Sequence, residues 1–182
     1  LAEAFMKKSP EVQVSVTGGG SGTGIAALLN GTTDVCASSR DMQQKEKDQA
    51  KEKNINPVEK VIAFDGIAIV VHPENPIKDI TMEQLKKIYT GAYKNWKELG
   101  GPDQPITTLS RESNSGTYVF FQEHVLGKEN YAPTVKLMPA SSSIVQSVSA
   151  DKWSIGYVGL GYTKEGNIKV VPVKKDDSSP AI

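Results

Sequence analysis

At 182 residues, with 38% hydrophobic and 23% charged side chains, the chain is long enough for one large domain or two small ones around a real core. Acidic and basic residues balance at 21 each, which excludes a broad basic field for nucleic acid or an anionic membrane surface. The single cysteine, Cys36, excludes an internal disulfide, the two histidines form no zinc spacing, and no apolar run reaches the ~20 residues of a membrane-spanning helix.

Leu1 to Lys8 has the pattern of an amphipathic helix already under way, with no N-cap before it, and Ser9-Pro10 stops it. The alternation in Val12-Gln13-Val14-Ser15-Val16 predicts a strand over Val12 to Thr17. A glycine loop, Gly18 to Gly24, leads into an apolar helix from Ile25 that ends near Asn30-Gly31. Asp34-Val35-Cys36-Ala37 predicts a short buried strand, with Cys36 packed as a small apolar residue, leaving through Ser38-Ser39-Arg40. Met42 to Lys53 is rich in Lys, Glu and Gln and predicts a solvated helix that Asp41 could cap. Val58 to Val71 is the most apolar strand region. It is broken at Asp65-Gly66, where a strand could pass from one lobe to another, and His72-Pro73 ends it.

Thr81-Met82-Glu83-Gln84 is a capping box opening a helix to about Tyr89, and Asn95 to Leu99 is a short helical turn. Ile106 to Leu109 predicts a strand, Ser110 to Thr117 a polar turn, and Ser115 to Val125 a helix. Thr134 to Met138 predicts a strand. A helix over Ser141 to Ala150 turns Ile144, Val145 and Val148 inward. Ser154 to Gly159 predicts the strand that crosses back, Ile168 to Val173 another strand, and Lys174 to Ile182 a loop. This alternation predicts an α/β fold with mixed sheets in two lobes. Residues 1–65 with 159–182 would form the first lobe and 66–158 the second, joined by hinge strands near Asp65 and Gly156. The ends read as those of an excerpt from a longer protein, with N- and C-terminal parts of the fold missing.

Two strand–loop–helix junctions carry the chemistry. One is the glycine loop around Ser21; the other is Ser110-Arg111-Glu112-Ser113-Asn114-Ser115-Gly116-Thr117. A helix start leaves backbone N–H groups unpartnered and carries partial positive charge, and small residues let an oxyanion reach them. Arg111 adds a forked, permanent cation suited to phosphate-like oxygens. Two such starts aimed at one point would wrap an anion.

Nucleotide and hydrolase readings fit the residues less well. The loop lacks the P-loop lysine and the G-x-G-x-x-G spacing, and Gly19-Gly20-Ser21-Gly22-Thr23 misses the last glycine of a nucleophile elbow. A hydrolase using Ser21 or Ser115 would need a base, and His72 and His124 sit in a turn and at a helix end. Trp96 and Trp153 read as core residues, and 7% aromatics does not suit stacking on single strands.

Several stretches, in order along nearly the whole chain, resemble the PstS family of extracytoplasmic phosphate-binding proteins of ABC importers. They are Gly20-Ser21-Gly22-Thr23-Gly24, Asp34 to Arg40, Phe64 to Val71, Ile88-Tyr89-Thr90-Gly91 with Asn95-Trp96, Ser110 to Thr117, and Ile155-Gly156-Tyr157-Val158. The resemblance implies a two-lobed, periplasmic-binding-protein-like receptor that closes on inorganic phosphate and delivers it to a membrane ABC permease. It implies no enzyme activity, cofactor, metal or nucleic acid, and no membrane insertion by this segment. In its terms Ser21 donates from the first lobe, Arg111 pairs with phosphate oxygens, and Ser115, Gly116 and Thr117 donate from the second. Ser39 stands where many members have an aspartate that accepts the proton of hydrogen phosphate and repels sulfate; Asp65 is a substitute acceptor. The alternative ligand is another tetrahedral oxyanion, sulfate or molybdate.

Overall fold

The run Ile67-Ala68-Ile69-Val70-Val71 has no polar face, and the fold buries both of its sides. In the computed structural model, which describes residues 1–176 and 178–180, this run is β1 (Ile67–Val71) in a five-stranded sheet. β1 pairs antiparallel with β5 (Ser154–Gly159), Ile67 opposite Gly159, and on its other edge with β6 (Lys169–Val171). β3 (Thr107–Arg111) lies between β5 and β4 (Lys136–Met138), parallel to both. A separate parallel pair joins β2 (Ile80–Thr81) to β7 (Val173–Lys174). The mixed sheet is the one expected from the alternation of elements.

Successive strand residues point to opposite faces, and the core divides accordingly. Ile69, Val71, Ile155 and Tyr157 pack with Leu85, Ile88 and Tyr89 of α4 (Met82–Tyr89), and with Trp96 and Phe121. Val70 and Val158 pack on the other face against Ile144, Val145 and Val148 of α6 (Ser141–Ala150), the inward stripe expected there. The capping box forms as its spacing predicts: Gln84 N donates to Thr81 Oγ1 at 3.1 Å and Thr81 N to Gln84 Oε1 at 2.8 Å. Trp96 is buried and donates from Nε1 to Trp153 O at 3.0 Å, the core role expected for it.

The first 66 residues are built differently. They hold α1 (Ala2–Lys8), α2 (Ser21–Leu29) and α3 (Gln44–Glu52), with a small cluster of Ile25, Leu29 and Ala50. The strands expected over 12–17, 34–37 and 58–65 do not form. Val16, Val35, Val58, Ile62 and Phe64 are exposed, Phe64 at 96%. Alternation and β-branching favour a strand only where a neighbour supplies hydrogen bonds, and among the described residues no ladder flanks these segments. β1 accordingly begins at Ile67, where Gly159 stands opposite. Cys36, expected to be buried, is half-buried, with burial pushing its thiol up from the ordinary range.

Near the chain's end, Lys169–Val171 pairs with β1 and Val173–Lys174 with β2. The predicted loop over 174–182 begins as strand at Lys174 and turns at Asp176, whose carboxylate takes the Ser178 amide; residues 177, 181 and 182 lie outside the described residues.

Candidate functional site

β3 ends on Arg111, and a short turn over Glu112, Ser113 and Asn114 leads into α5 (Gly116–His124) with Ser115 at the N-cap. The glycine loop leads into α2 with Gly20 at the N-cap. Neither start has a capping side chain bonded to its first-turn amides. The contrast with α4, capped by Thr81, and with the turn at Trp96–Leu99, capped by Asn95, is physical. At α4 and at that turn a side chain satisfies an orphan amide of the first turn, whereas at these two starts no capping side chain does.

Residues far apart in sequence meet between these starts. Ser39 N donates to Ser21 Oγ at 3.2 Å, and the two hydroxyls lie 3.4 Å apart. A Cβ on Gly116 would overlap both Ser21 Oγ and Ser39 Oγ, so the start of α5 is seated directly on the other two corners. All six residues singled out in the sequence (Ser21, Ser39, Arg111, Ser115, Gly116 and Thr117) line one cavity of about 350 Å³. Ser21 and Ser115 are buried and Ser39 is exposed. A larger cavity of about 800 Å³, lined mainly by apolar side chains such as Ile62, Phe64 and Phe120, adjoins it at Ser38, Ser39 and Thr117. The converging polar groups are in the smaller one.

The chain has two arginines, and they are used in opposite ways. Arg40 spends its fork on Glu46, Nη1 to Oε2 at 2.8 Å and Nη2 to Oε1 at 2.7 Å. That hydrogen-bonded pairing raises the Arg40 pKa and holds the Glu46 carboxyl below its ordinary range. Arg111 instead meets neutral acceptors: Nη1 donates to Ser141 Oγ at 3.1 Å and Nη2 to Pro139 O at 3.0 Å. Its Nε, like that of Arg40, is buried without a partner, but among the described residues Arg111 joins no ion pair. A positioned guanidinium with no carboxylate beside it has the chemistry to receive an anion.

No carboxylate and no histidine line this cavity among the described residues. Asp65, named as a substitute acceptor for Ser39, is not there: its carboxylate takes the Gly66 amide at 2.8 Å, and the residue lines the larger cavity.

Sequence reading missed the groups that brace Arg111. Behind β3, Ser110 Oγ lies 2.6 Å from the Tyr157 hydroxyl, which lies 2.9 Å from that of Tyr131, and Tyr131 donates to Tyr118 O at 3.0 Å. Burial pushes Tyr157 up to about 12 and Tyr131 higher still, so both phenols remain neutral and able to donate. Ser141, at the start of α6, reads from the sequence only as part of a helix. No local spacing signals a partner 30 residues away.

The PBP superfamily domain matches residues 1–177 of the chain. The phosphate-binding protein PstS of Bacillus subtilis is 35% identical over 173 residues, 94% of this chain and 56% of its own length. Among solved structures, a candidate phosphate ABC transporter substrate-binding protein with bound phosphate from Clostridium perfringens superposes with a TM-score of 0.84 at 38% identity, over 98% of this chain and 71% of that one. An ABC-type phosphate transport receptor from Vibrio cholerae does so with a TM-score of 0.71 at 31% identity, over 98% and 72%. The chain belongs to the PBP superfamily and, within it, to the PstS family. It spans a little over half the length of the curated relatives it matches.

Proposed function

We propose that this chain binds inorganic phosphate in the cavity between its glycine corner and its arginine corner, as part of an extracytoplasmic receptor that hands phosphate to a membrane ABC permease. The observation that carries this reading is Arg111: a braced guanidinium without a carboxylate partner, facing the point where Ser21, Ser39 and Gly116 converge. Arg111 would pair with two phosphate oxygens. Ser21 and Ser39 would donate hydroxyls, and Ser115, Gly116 and Thr117 would offer hydroxyls and open helix-start amides. Residues 1–65 and 66–158 would act as two lobes closing on the anion, with 169–174 staying with the second. No helix among the described residues is long and apolar enough to cross a membrane. The cavity suits binding without turnover.

Isothermal titration with phosphate, and separately with sulfate and molybdate, tests the assignment. Phosphate should bind tightest. A second reading, a different tetrahedral oxyanion, is favoured by the absence of a carboxylate to repel a fully ionised ligand among the described cavity residues. Tight sulfate binding with no heat from phosphate would select it.

A further inference from the structure

We propose that Asn114 is a positioning residue that reaches across the cleft and holds the glycine corner against the arginine corner, and that position 20 is glycine in order to admit it. This rests on reading the cavity as an anion site between two lobes. The Asn114 carbonyl accepts from Gly22 N at 2.9 Å, and its side-chain amide donates to Thr23 Oγ1 at 3.2 Å. Both partners belong to the first turn of α2, while Asn114 belongs to the turn between β3 and α5. A single residue thus makes two hydrogen bonds between the corners. The first of them occupies an amide that a helix start would otherwise leave open, so the Gly22 N–H serves closure and not the ligand.

The steric evidence is separate from the hydrogen bonds. A Cβ on Gly20 would overlap Asn114 O, and the atoms nearest to it all belong to Asn114. A Cβ on Gly22 would sit 3.3 Å from the same oxygen. Gly116 differs, since its Cβ would meet Ser21 and Ser39. The two closely packed glycines therefore serve different ends. Gly116 keeps the anion pocket open, and Gly20 lets the two corners touch beside it. Asn114 and Thr23 are exposed, so their side-chain bond is the weaker part, and the backbone bond with its close fit is the stronger. These contacts exist only with the corners together, so they add to the closed form and slow release of the anion.

The test is rapid-filtration release of radiolabelled phosphate, with solution X-ray scattering with and without phosphate, on wild type, Gly20→Ala, Asn114→Ala, Thr23→Val, the Asn114→Ala/Thr23→Val double variant, and Lys97→Ala as control. Gly20→Ala should release phosphate roughly tenfold faster or more and show less ligand-induced compaction. Asn114→Ala and Thr23→Val should each speed release by roughly two- to threefold, and the double variant no more than either, because they share one bond. If Gly20→Ala does not fold, the Asn114–Thr23 cycle decides. Wild-type release and compaction in Gly20→Ala, or additive effects in the double variant, would overturn the latch alone. Failure of the wild type to bind phosphate would overturn both the pocket reading and the latch.

Discussion

The amide of Ser39 donates to Ser21 Oγ at 3.2 Å, joining two corners that are 18 residues apart. The bond uses a lone pair of Ser21 and leaves its proton free to point at the cavity, where Gly116 and Arg111 also face. A hydroxyl already serving as acceptor still has its proton to give, to Ser39 Oγ at 3.4 Å or to a group in the cavity.

Arg111 supplies the cavity's formal charge. Arg111→Ala should weaken phosphate binding roughly a hundredfold or more, the scale of about 3 kcal/mol for a charge-assisted pair. Arg111→Lys should recover only part, since an ammonium cannot reproduce the fork. Titration calorimetry reads both, against Lys97→Ala, whose exposed ion pair with Asp103 is no part of the cavity lining.

Gly116→Ala places a methyl where Ser21 Oγ and Ser39 Oγ stand. The corners must separate to take it, at a cost of about 1–3 kcal/mol. Phosphate affinity should fall at least tenfold, with a lower thermal midpoint. Wild-type affinity in this variant would mean that the three corners are not held together during binding.

Tyr157→Phe leaves Ser110 Oγ and the Tyr131 hydroxyl short of a partner behind β3. The expected loss of stability is about 1–2 kcal/mol, measured by urea unfolding. The same phenol predicts an alkaline limit. Its folded pKa is raised to about 12 from the ordinary value of 10.0. The unfolded chain therefore loses this proton first, and the stabilisation is present below pH 10.0 and lost as pH rises from there through about 12. Tyr131 and Tyr89, also raised by burial, act in the same direction.

Glu46 titrates on the acid side. Its carboxyl is held below the ordinary 4.5, first by the hydrogen bond from Arg40, so its contribution is present above 4.5 and lost as pH falls through the lower folded value. Glu46→Gln should flatten the acid limb of a stability–pH curve. Because the Arg40 guanidinium ties the exit of the Ser38–Ser39 corner to Asp41 O and to Glu46, Arg40→Ala should loosen that corner and cost phosphate affinity only a few-fold, roughly a tenth or less of the Arg111→Ala effect.

What could be read from the sequence was local chemistry. The capping box at Thr81, the inward stripe of α6 and the two helix-start corners each depend on residues within a turn or two of one another, and each formed. The residues bracing those corners could not be read. Ser141 and Pro139 hold Arg111 from 30 and 28 residues away, and Tyr157 meets Ser110 across 47. Such partners are chosen by the sheet order that brings β4 and β5 to either side of β3. The strands expected before Ile67 failed for a related reason. Alternating valines state which face a segment would bury if a neighbour stood beside it, and they do not supply the neighbour. Asp65 lines the larger cavity and not the smaller one, because nearness to a strand end in sequence does not decide which cavity a carboxylate meets.

The most direct measurement is a crystal structure of the protein grown with phosphate. Phosphate recognition by the two corners requires tetrahedral density between the starts of α2 and α5, within hydrogen-bond distance of Ser21, Arg111 and Thr117. An empty cavity at a phosphate concentration that saturates binding in solution, or phosphate seated elsewhere on the chain, would contradict it.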